Sequence, residues 1–414
     1  MEESMSPGSK VSRSCEELKV NAIADRPAIP GNIFLTGATG VVGGRILMEI
    51  LRYTGSDCHC LVRAKDRMHA RTRLAGMLKT YGMPEQEYRT CQKRIHPVLG
   101  DIALERFGLD NETYDSLAHT SGLVIHMAAD LSLISSYTKL SAVNVEGTDH
   151  VIDFCLRGGS LLAYGSTFGV IGDKVYQKDY VFSEDSTDIG QKFPESHYPR
   201  TKYEAELRIR RAGAKGLRWV ILRLGDILGD SRSGAYPLDG SGTINIYYDI
   251  FKTVIETGIA PYFEDRCYIA PVDYAARAAL FLALHPDAQG STFHIVNSEQ
   301  DCFYRIMNLL VECGYALRIV PCKEYSGLFV KNRVWLRGKI YRSLFTRMIA
   351  GLPLLPGRVE SARICILQAE RLLAPAGIVC APADYNLLAR YLNFCIENAY
   401  LPSPANQRPL AEIR

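Results

Sequence analysis

Tyr198 and Lys202 stand four residues apart in Y-P-R-T-K, a spacing that puts both side chains on one face of a helix. A tyrosine hydroxyl ordinarily titrates near pKa 10 and is a poor acid or base at neutral pH. A neighbouring ammonium favours the anion, so Lys202 is expected to bring that value down. Tyr198 could then give a proton to a carbonyl oxygen as a hydride reaches its carbon, or take one in reverse. Alone, a Y-x-x-x-K pair is common by chance and reads by default as a surface pair. A third group fits the same chemistry: Thr167, in L-L-A-Y-G-S-T-F-G-V and about thirty residues before Tyr198, can donate a hydrogen bond to the same oxygen, with Ser166 as the competing choice.

The elements that must position these groups follow from the pattern upstream. N-I-F-L-T reads as a strand, G-A-T-G-V-V-G as a tight turn and G-R-I-L-M-E-I-L-R-Y as a helix. Gly37, Gly40 and Gly43 in that turn permit close approach of a pyrophosphate, and the helix start supplies N–H donors to it. The second apolar run ends in C-L-V-R-A-K-D, where Arg63 stands in place of the acidic residue that would meet an unphosphorylated ribose. Its guanidinium, with Lys65 and Arg67 nearby, favours NADPH, while a solvated basic turn paired with Asp66 is the plainer alternative. Asp101, in G-D-I, could accept from an adenine amino group or cap a turn. The small Ala128 and Ala129 in H-M-A-A-D would let the backbone approach the cofactor, and Asn144 follows in N-V-E-G-T.

Further apolar runs at 58–62, 95–99, 123–126, 161–164 and 219–224 alternate with helix-length segments, which predicts a parallel sheet with helices on both faces. The expected class is α/β: a doubly wound Rossmann sheet with a smaller, mainly helical C-terminal substrate-binding subdomain. Residues 1–28 read as a flexible tail or linker, 29–235 as the nucleotide-binding domain with 266–298 returning to it, and 236–265 and 299–414 as the subdomain.

Composition narrows the class. Of 414 residues, 47% are hydrophobic and 22% charged, ordinary globular values. A net charge of +3 argues against a general nucleic-acid footprint. The polar start carries no secretory signal, and the apolar runs are too short to span a bilayer, so a soluble, cytoplasmic protein is expected. Twelve cysteines without a C-x-x-C pair fit reduced thiols. In C-H-C at 58–60 the two sulfurs face one side of a strand and His59 the other, which disfavours a metal site.

Taken in order, F-L-T-G-A-T-G-V-V-G, C-L-V-R-A, G-D-I, H-M-A-A-D, N-V-E-G-T, G-S-T, Y-P-R-T-K, R-L-G-D-I-L-G-D-S and A-P-V-D-Y-A-A-R-A resemble the extended short-chain dehydrogenase/reductase superfamily. Within it the chain looks most like the thioester reductase domains of nonribosomal peptide and polyketide synthetases, carboxylic acid reductases and aminoadipate reductases. The resemblance covers residues 31–300. It implies NADPH-dependent reductive release of an acyl or peptidyl thioester from a carrier protein's phosphopantetheine arm, to the aldehyde or on to the alcohol. Thr167 and Tyr198 would hold the oxyanion and Lys202 the nicotinamide ribose. It also implies cofactor contacts at Thr36, Thr39, Val41, Val42, Ile102, Asn144 and Leu224, and substrate contacts at Asp130, Ser166, Phe168 and Gly225. The sequence departs from the family where it has Leu224 for proline, Thr201 for serine and Gly165 for a valine-like residue, and Asp130 is less usual. Other readings are an extended family member acting on another carbonyl or a sugar nucleotide, and a non-catalytic NADP-binding regulatory protein. Non-redox release by cyclisation is disfavoured by the retained tyrosine. The chain is expected to be monomeric or part of a larger synthetase.

Between Arg318 and Arg363 ten basic residues face two acidic ones. That excess suits docking of an acidic carrier, an amphipathic membrane-surface helix, or an ordinary basic face over a core.

Overall fold

Every apolar run from the first βα unit onward becomes a strand, and each strand lies parallel to its neighbours. The computed structural model describes residues 31–132, 135–172, 180–193, 197–238, 245–262, 264, 266–299, 302–331 and 362–407. The expected tail at 1–28 and the greater part of the basic stretch, 332–361, lie outside the described residues.

The strands are β1 Asn32–Thr36, β2 Cys58–Val62, β3 Ile95–Leu99, β4 Ser121–His126, β5 Leu161–Thr167, β6 Val181–Phe182, β7 Arg218–Leu224, β8 Asp226–Leu228, β9 Ile259–Tyr262, β10 Ile269–Pro271, β11 Thr292–Ile295, β12 Arg318–Pro321 and β13 Arg363–Ile364. Seven of them form one sheet in the order β11-β7-β5-β4-β1-β2-β3. The strand order reverses between β1 and β4, which opens the crevice at the carboxyl ends where ligands of doubly wound sheets bind. The main helices are α1 Val41–Tyr53, α2 Arg67–Thr80, α3 Asn111–Thr120, α4 Gly147–Gly158, α5 His197–Gly213, α6 Ile246–Thr257, α7 Val272–Leu284, α8 Phe303–Glu312, α9 Leu367–Leu373 and α10 Tyr385–Glu397.

Alternation along the strands sorts the two faces. Ile33, Leu35, Cys58 and Cys60 point to one side, under Ile46 and Ile50 of α1, Leu74 of α2 and Ala275 of α7. Phe34, Leu61, Val124 and Leu162 point to the other, against Tyr114 of α3, Phe154 of α4 and Ile209 of α5. The C-H-C segment obeys the same rule: the Cys58 and Cys60 sulfurs lie 3.7 Å apart in the first core, while the His59 ring stacks on His96 at 4.9 Å. Among the described residues no group of His, Cys, Asp and Glu could hold a metal.

A second core joins Phe251 and Val254 of α6, Ile306 and Leu310 of α8, and Leu388 and Leu392 of α10. Two short parallel pairs, β8 with β10 and β9 with β12, accompany it. Helix α9 packs elsewhere, with Ala369 and Leu373 in the first core.

One buried polar network fixes the central strands to α5. The Arg223 and Glu206 side chains have no exposed area, and Arg223 Nη2 donates to Glu206 Oε2 at 2.8 Å. Arg223 Nε and the Ser166 hydroxyl both donate to Glu206 Oε1, at 3.0 and 2.6 Å. Arg223 also donates to the Ser186 carbonyl at 2.8 Å and meets His294 Nε2 at 3.3 Å. Burial pushes His294 down to about 3, so it is neutral. Its Nδ1–H donates to the Cys365 carbonyl at 2.6 Å, which leaves Nε2 free to accept from Arg223. Taking these charges out of water costs several kcal/mol per ion, a cost offset only while each partner stays in place. Arg223→Met should therefore lose about 3–5 kcal/mol in urea unfolding, because Glu206 is left buried without a cation, and methionine at both positions should cost less than Arg223→Met alone. A single-variant loss under about 1 kcal/mol would show that the pair does not organise the sheet.

Candidate active site

The first βα turn is built so that nothing but backbone fills it. Gly37 has φ +76°, and a Cβ there would meet the Ala128 nitrogen at 2.6 Å. A Cβ on Gly43 would meet the Gly37 carbonyl oxygen at 2.1 Å. Gly40 is the N-cap of α1 and makes no side-chain cap, so its helix start presents bare N–H groups toward the crevice. This cradle fits a pyrophosphate. Val41 and Val42 begin α1 and pack against the first core.

The turn is closed by Thr36, whose hydroxyl oxygen accepts from the Ala128 N–H at 3.2 Å and lies 2.7 Å from His126 Nδ1. Burial pushes His126 down to about 3, and Lys202 adds to the shift. The ring is thus neutral. It links through Thr148, 3.4 Å from Nε2, to the Asn144 carbonyl, which accepts from the Thr148 hydroxyl at 2.7 Å.

Asn144 lies in a π-helical turn, Ala142–Glu146, an irregularity frequent at functional sites. Its amide clasps the backbone of Asp130 from both sides, accepting at 2.8 Å and donating at 2.9 Å. It also donates to the Thr201 hydroxyl at 3.0 Å, and Thr201 donates to the Tyr198 carbonyl at 2.8 Å. The departure to threonine at 201 therefore keeps the hydroxyl that is used here. Gly165, the other small departure, leaves room for Met127, whose sulfur would lie 2.4 Å from a Cβ.

At the end of β2 the Arg63 side chain is 75% exposed, with Asp101 3.9 Å from its guanidinium. Asp101 itself caps a turn, accepting from the Ala103 N–H at 3.0 Å. Ile102 is buried against Gly147 and its carbonyl accepts from His150 at 2.8 Å. Arg73, which sequence reasoning missed, reaches back from α2 to the Arg63 carbonyl at 2.6 Å and to the Thr39 hydroxyl at 3.1 Å. A second arginine is thereby held between the basic turn and the glycine turn. Its signal was weak: a basic residue seven positions past the Asp66 cap, which puts it on the same helix face.

The two hydroxyls at the end of β5 part company. Ser166 is buried on Glu206. Thr167 is half-buried, accepts from the Gly169 N–H at 3.1 Å and keeps its own proton to donate. Leu224 stands opposite Thr167 in the β5–β7 register. Phe168, the next residue, packs its ring on Tyr268 at 4.6 Å. The Asp130 carboxylate accepts from the Ser132 N–H at 2.9 Å and so serves its own turn.

Helix α5 carries Tyr198 and Lys202 on its inward side. Its buried stripe, Thr201, Lys202, Ala205, Glu206 and Ile209, follows the helical repeat and includes two charges. Lys202 Nζ lies over the Tyr164 ring at 4.1 Å. Burial pushes that ammonium down to about 7, with Glu206 opposing the shift. Tyr198 is half-buried, yet loss of water around its hydroxyl raises its pKa above the ordinary value. That direction is opposite to the one expected from the Tyr–Lys spacing, and its cause is desolvation. A tyrosine held neutral in this way keeps its proton at neutral pH and can donate it in a hydrogen bond.

Comparison with known proteins agrees with this geometry. A family model described as male sterility protein matches residues 35–279. Over 304 residues the chain is 29% identical to L-2-aminoadipate reductase of Schizosaccharomyces pombe, covering 70% of this chain and 21% of that protein. Over 343 residues it is 30% identical to a nonribosomal peptide synthetase of Aspergillus flavus, covering 80% of this chain and 32% of that one. The chain thus spans between about a fifth and a third of these relatives. It superposes on the terminal R domain from the myxalamid PKS-NRPS biosynthetic pathway with a TM-score of 0.80 and 26% identity, covering 94% of this chain and 99% of that one. Among the described residues no helix is long and apolar enough to cross a membrane. A family match over more than half of its length, on this fold and around this site, means that the chain belongs to the male sterility protein family, as an NAD(P)H-dependent oxidoreductase.

Proposed function

We propose that the chain reduces an acyl or peptidyl thioester, carried on the phosphopantetheine arm of a carrier protein, to an aldehyde with NADPH. The observation that carries this reading is the pairing of a neutral, desolvated Tyr198 with the free hydroxyl proton of Thr167 beside the glycine cradle. The relatives named above, a reductase of a carboxylic amino acid and a peptide synthetase, support the thioester as substrate.

When bound, the reduced nicotinamide supplies a hydride to the carbonyl carbon. As charge develops on the carbonyl oxygen, Thr167 and Tyr198 donate hydrogen bonds to it, and these strengthen in the transition state. Transfer of the Tyr198 proton gives the hemithioacetal. Its collapse breaks the C–S bond: the hydroxyl proton returns to the Tyr198 oxygen, the sulfur leaves as a thiolate that takes a proton from solvent, and aldehyde and thiol are released. Thioester, hydride and one proton thus balance aldehyde and thiol. Lys202, near neutrality through burial, is poised to charge when it meets ribose hydroxyls, and its ammonium then favours the tyrosinate that proton transfer leaves.

The preference for NADPH rests on Arg63 and Arg73. Exposed Arg63 has a guanidinium available to a 2′-phosphate, and Arg73 steadies the same turn.

With purified chain, NADPH and an acyl-pantetheine thioester, dihydronicotinamide absorbance should fall as aldehyde appears by mass spectrometry. Tyr198→Phe should lower kcat by about 10²–10⁴-fold with a smaller change in KM. Absence of oxidation in the unmodified chain, or full activity in Tyr198→Phe, would sink the proposal. Replacing Arg63 and Arg73 by alanine should raise KM for NADPH about tenfold or more while changing KM for NADH much less. Equal weakening of both cofactors would remove the 2′-phosphate from the account.

A further inference from the structure

The apolar face that β1, β4 and β5 turn toward α4 and α5 ends in a polar row. Phe34, Val124 and Leu162 lie abreast in the register of these strands and pack in one core. Two residues further along each strand, on the same face, stand Thr36, His126 and Tyr164. All three are buried, at the carboxyl ends of the strands where the crevice opens.

The direction of each hydrogen bond from His126 follows from its partners. The Thr148 hydroxyl gives its proton to the Asn144 carbonyl at 2.7 Å. Toward His126 the Thr148 oxygen can then only accept, so Nε2, 3.4 Å away, carries the ring proton. The neutral ring has no second proton, and Nδ1 accepts from the Thr36 hydroxyl at 2.7 Å. The Thr36 oxygen in turn accepts from the Ala128 N–H, the group on which Gly37 closes so tightly. At the far end Asn144 holds the Asp130 N–H and carbonyl and donates to Thr201, which donates to the Tyr198 carbonyl. With the backbone from Ala128 to Asp130, these bonds form a closed ring that His126 completes. The imidazole also lies 5.6 Å from the Tyr164 ring, over which Lys202 Nζ stands at 4.1 Å. A second cation would be repelled there, which suits a spacer rather than an acid or base.

We infer that His126 is a positioning residue: through Thr36 and Thr148 it holds the glycine cradle and the π-helical turn in one register, and so sets where Tyr198 stands relative to cofactor bound in that cradle. This rests on the reading of Tyr198 as the proton donor in thioester reduction. Histidine fits the task because its two nitrogens lie on different edges of one rigid plane, one accepting and the other donating. An apolar ring would fill the space and bond neither side. The backbone between Ala128 and Asp130 is a second tie, so losing the imidazole slackens the register and leaves the fold in place.

The test pairs turnover of an acyl-pantetheine thioester with fluorescence titration of NADPH, both on the full chain. His126→Asn keeps an acceptor for the Thr36 hydroxyl but does not reach Thr148. It should lower kcat about tenfold or more and leave the Kd for NADPH nearly unchanged. His126→Phe bonds neither side and should lose kcat and NADPH affinity together, so that asparagine rescues binding alone. Thr148→Val, which leaves the imidazole in place, should match His126→Asn in kcat and carries the comparison if the latter does not fold. The double variant should be no slower than either single one, because both cut the same line. Full kcat in His126→Asn or Thr148→Val, or losses that multiply in the double variant, overturns the inference. Imidazole ¹⁵N NMR gives a readout independent of turnover: His126 should show the neutral Nε2–H form, and Thr148→Val should shift the proton to Nδ1. An Nδ1–H ring in the unmodified protein also overturns the inference. The two readings fail separately. If no thioester is reduced while the ring shows that form and that response, the thioester reading falls and the role of His126 stands. If the unmodified chain and His126→Asn reduce the thioester equally, the role of His126 alone falls.

Discussion

The Glu206–Arg223 ion pair is the constraint on which the rest of the site depends. Three members of its network are near neighbours of candidate site residues. Ser166 precedes Thr167, Glu206 stands one helical turn beyond Lys202, and Arg223 precedes Leu224. The pair therefore ties the ends of β5 and β7 to the inner face of α5, which are the surfaces the hydroxyls and the ammonium must share. A hydrophobic contact at this place would fill the space equally well. It would not set rotation about the helix axis, because apolar packing is non-directional, whereas three donors converging on one carboxylate allow only one arrangement.

The same dryness that makes this pair demanding tunes the groups beside it. Tyr198 is raised, Lys202 lowered to about 7 and His126 lowered to about 3, each chiefly by loss of water. All three shifts favour the neutral form. The space around these three groups is consequently poor in charge, and an anionic or partly anionic group entering it meets dipoles and N–H donors already oriented. Preorganised donors in a low-dielectric site do more for a developing oxyanion than the same donors in water.

What could be read beforehand was local. Alternation of apolar runs, the glycine turn after the first strand and the helical spacing of Tyr198 and Lys202 are each contained in a dozen residues, and each appears in the fold as expected. The parallel sheet followed from the βα rhythm and the return of 292–295 to its edge from a strand-like run, whereas the order of the strands came only with the fold. Long-range electrostatics was not legible. Glu206 lies on a helix rich in charge and reads as one more solvated glutamate until Arg223, on another strand, closes over it. Strand alternation says that Ser166 and Thr167 face opposite ways, but not which of them meets the crevice. The direction of the Tyr198 shift depended on how much water burial removes, a property of packing rather than of spacing. Arg73 acts through a helix that folds back on the preceding turn, so its partners Arg63 and Thr39 are near only in three dimensions.

The corner at Gly225 shows why chemistry and recognition can vary separately in such a fold. Up to Leu224 the chain belongs to the seven-stranded sheet, whose register with β5 is set along its whole length. Past Gly225 the backbone leaves that sheet and pairs β8 with β10 instead, the Asp226 N–H donating to the Tyr268 carbonyl at 2.9 Å. Because the switch is made by backbone hydrogen bonds, the site of residue 226 is fixed relative to Thr167 whatever side chain it carries. Its neighbours across the gap come from α6, which packs in the second core, a core that does not include Thr167, Tyr198 or Lys202. A change at 226 or 247 thus alters this corner without moving the hydroxyls. A change at 206 or 223 moves the hydroxyls without altering that corner.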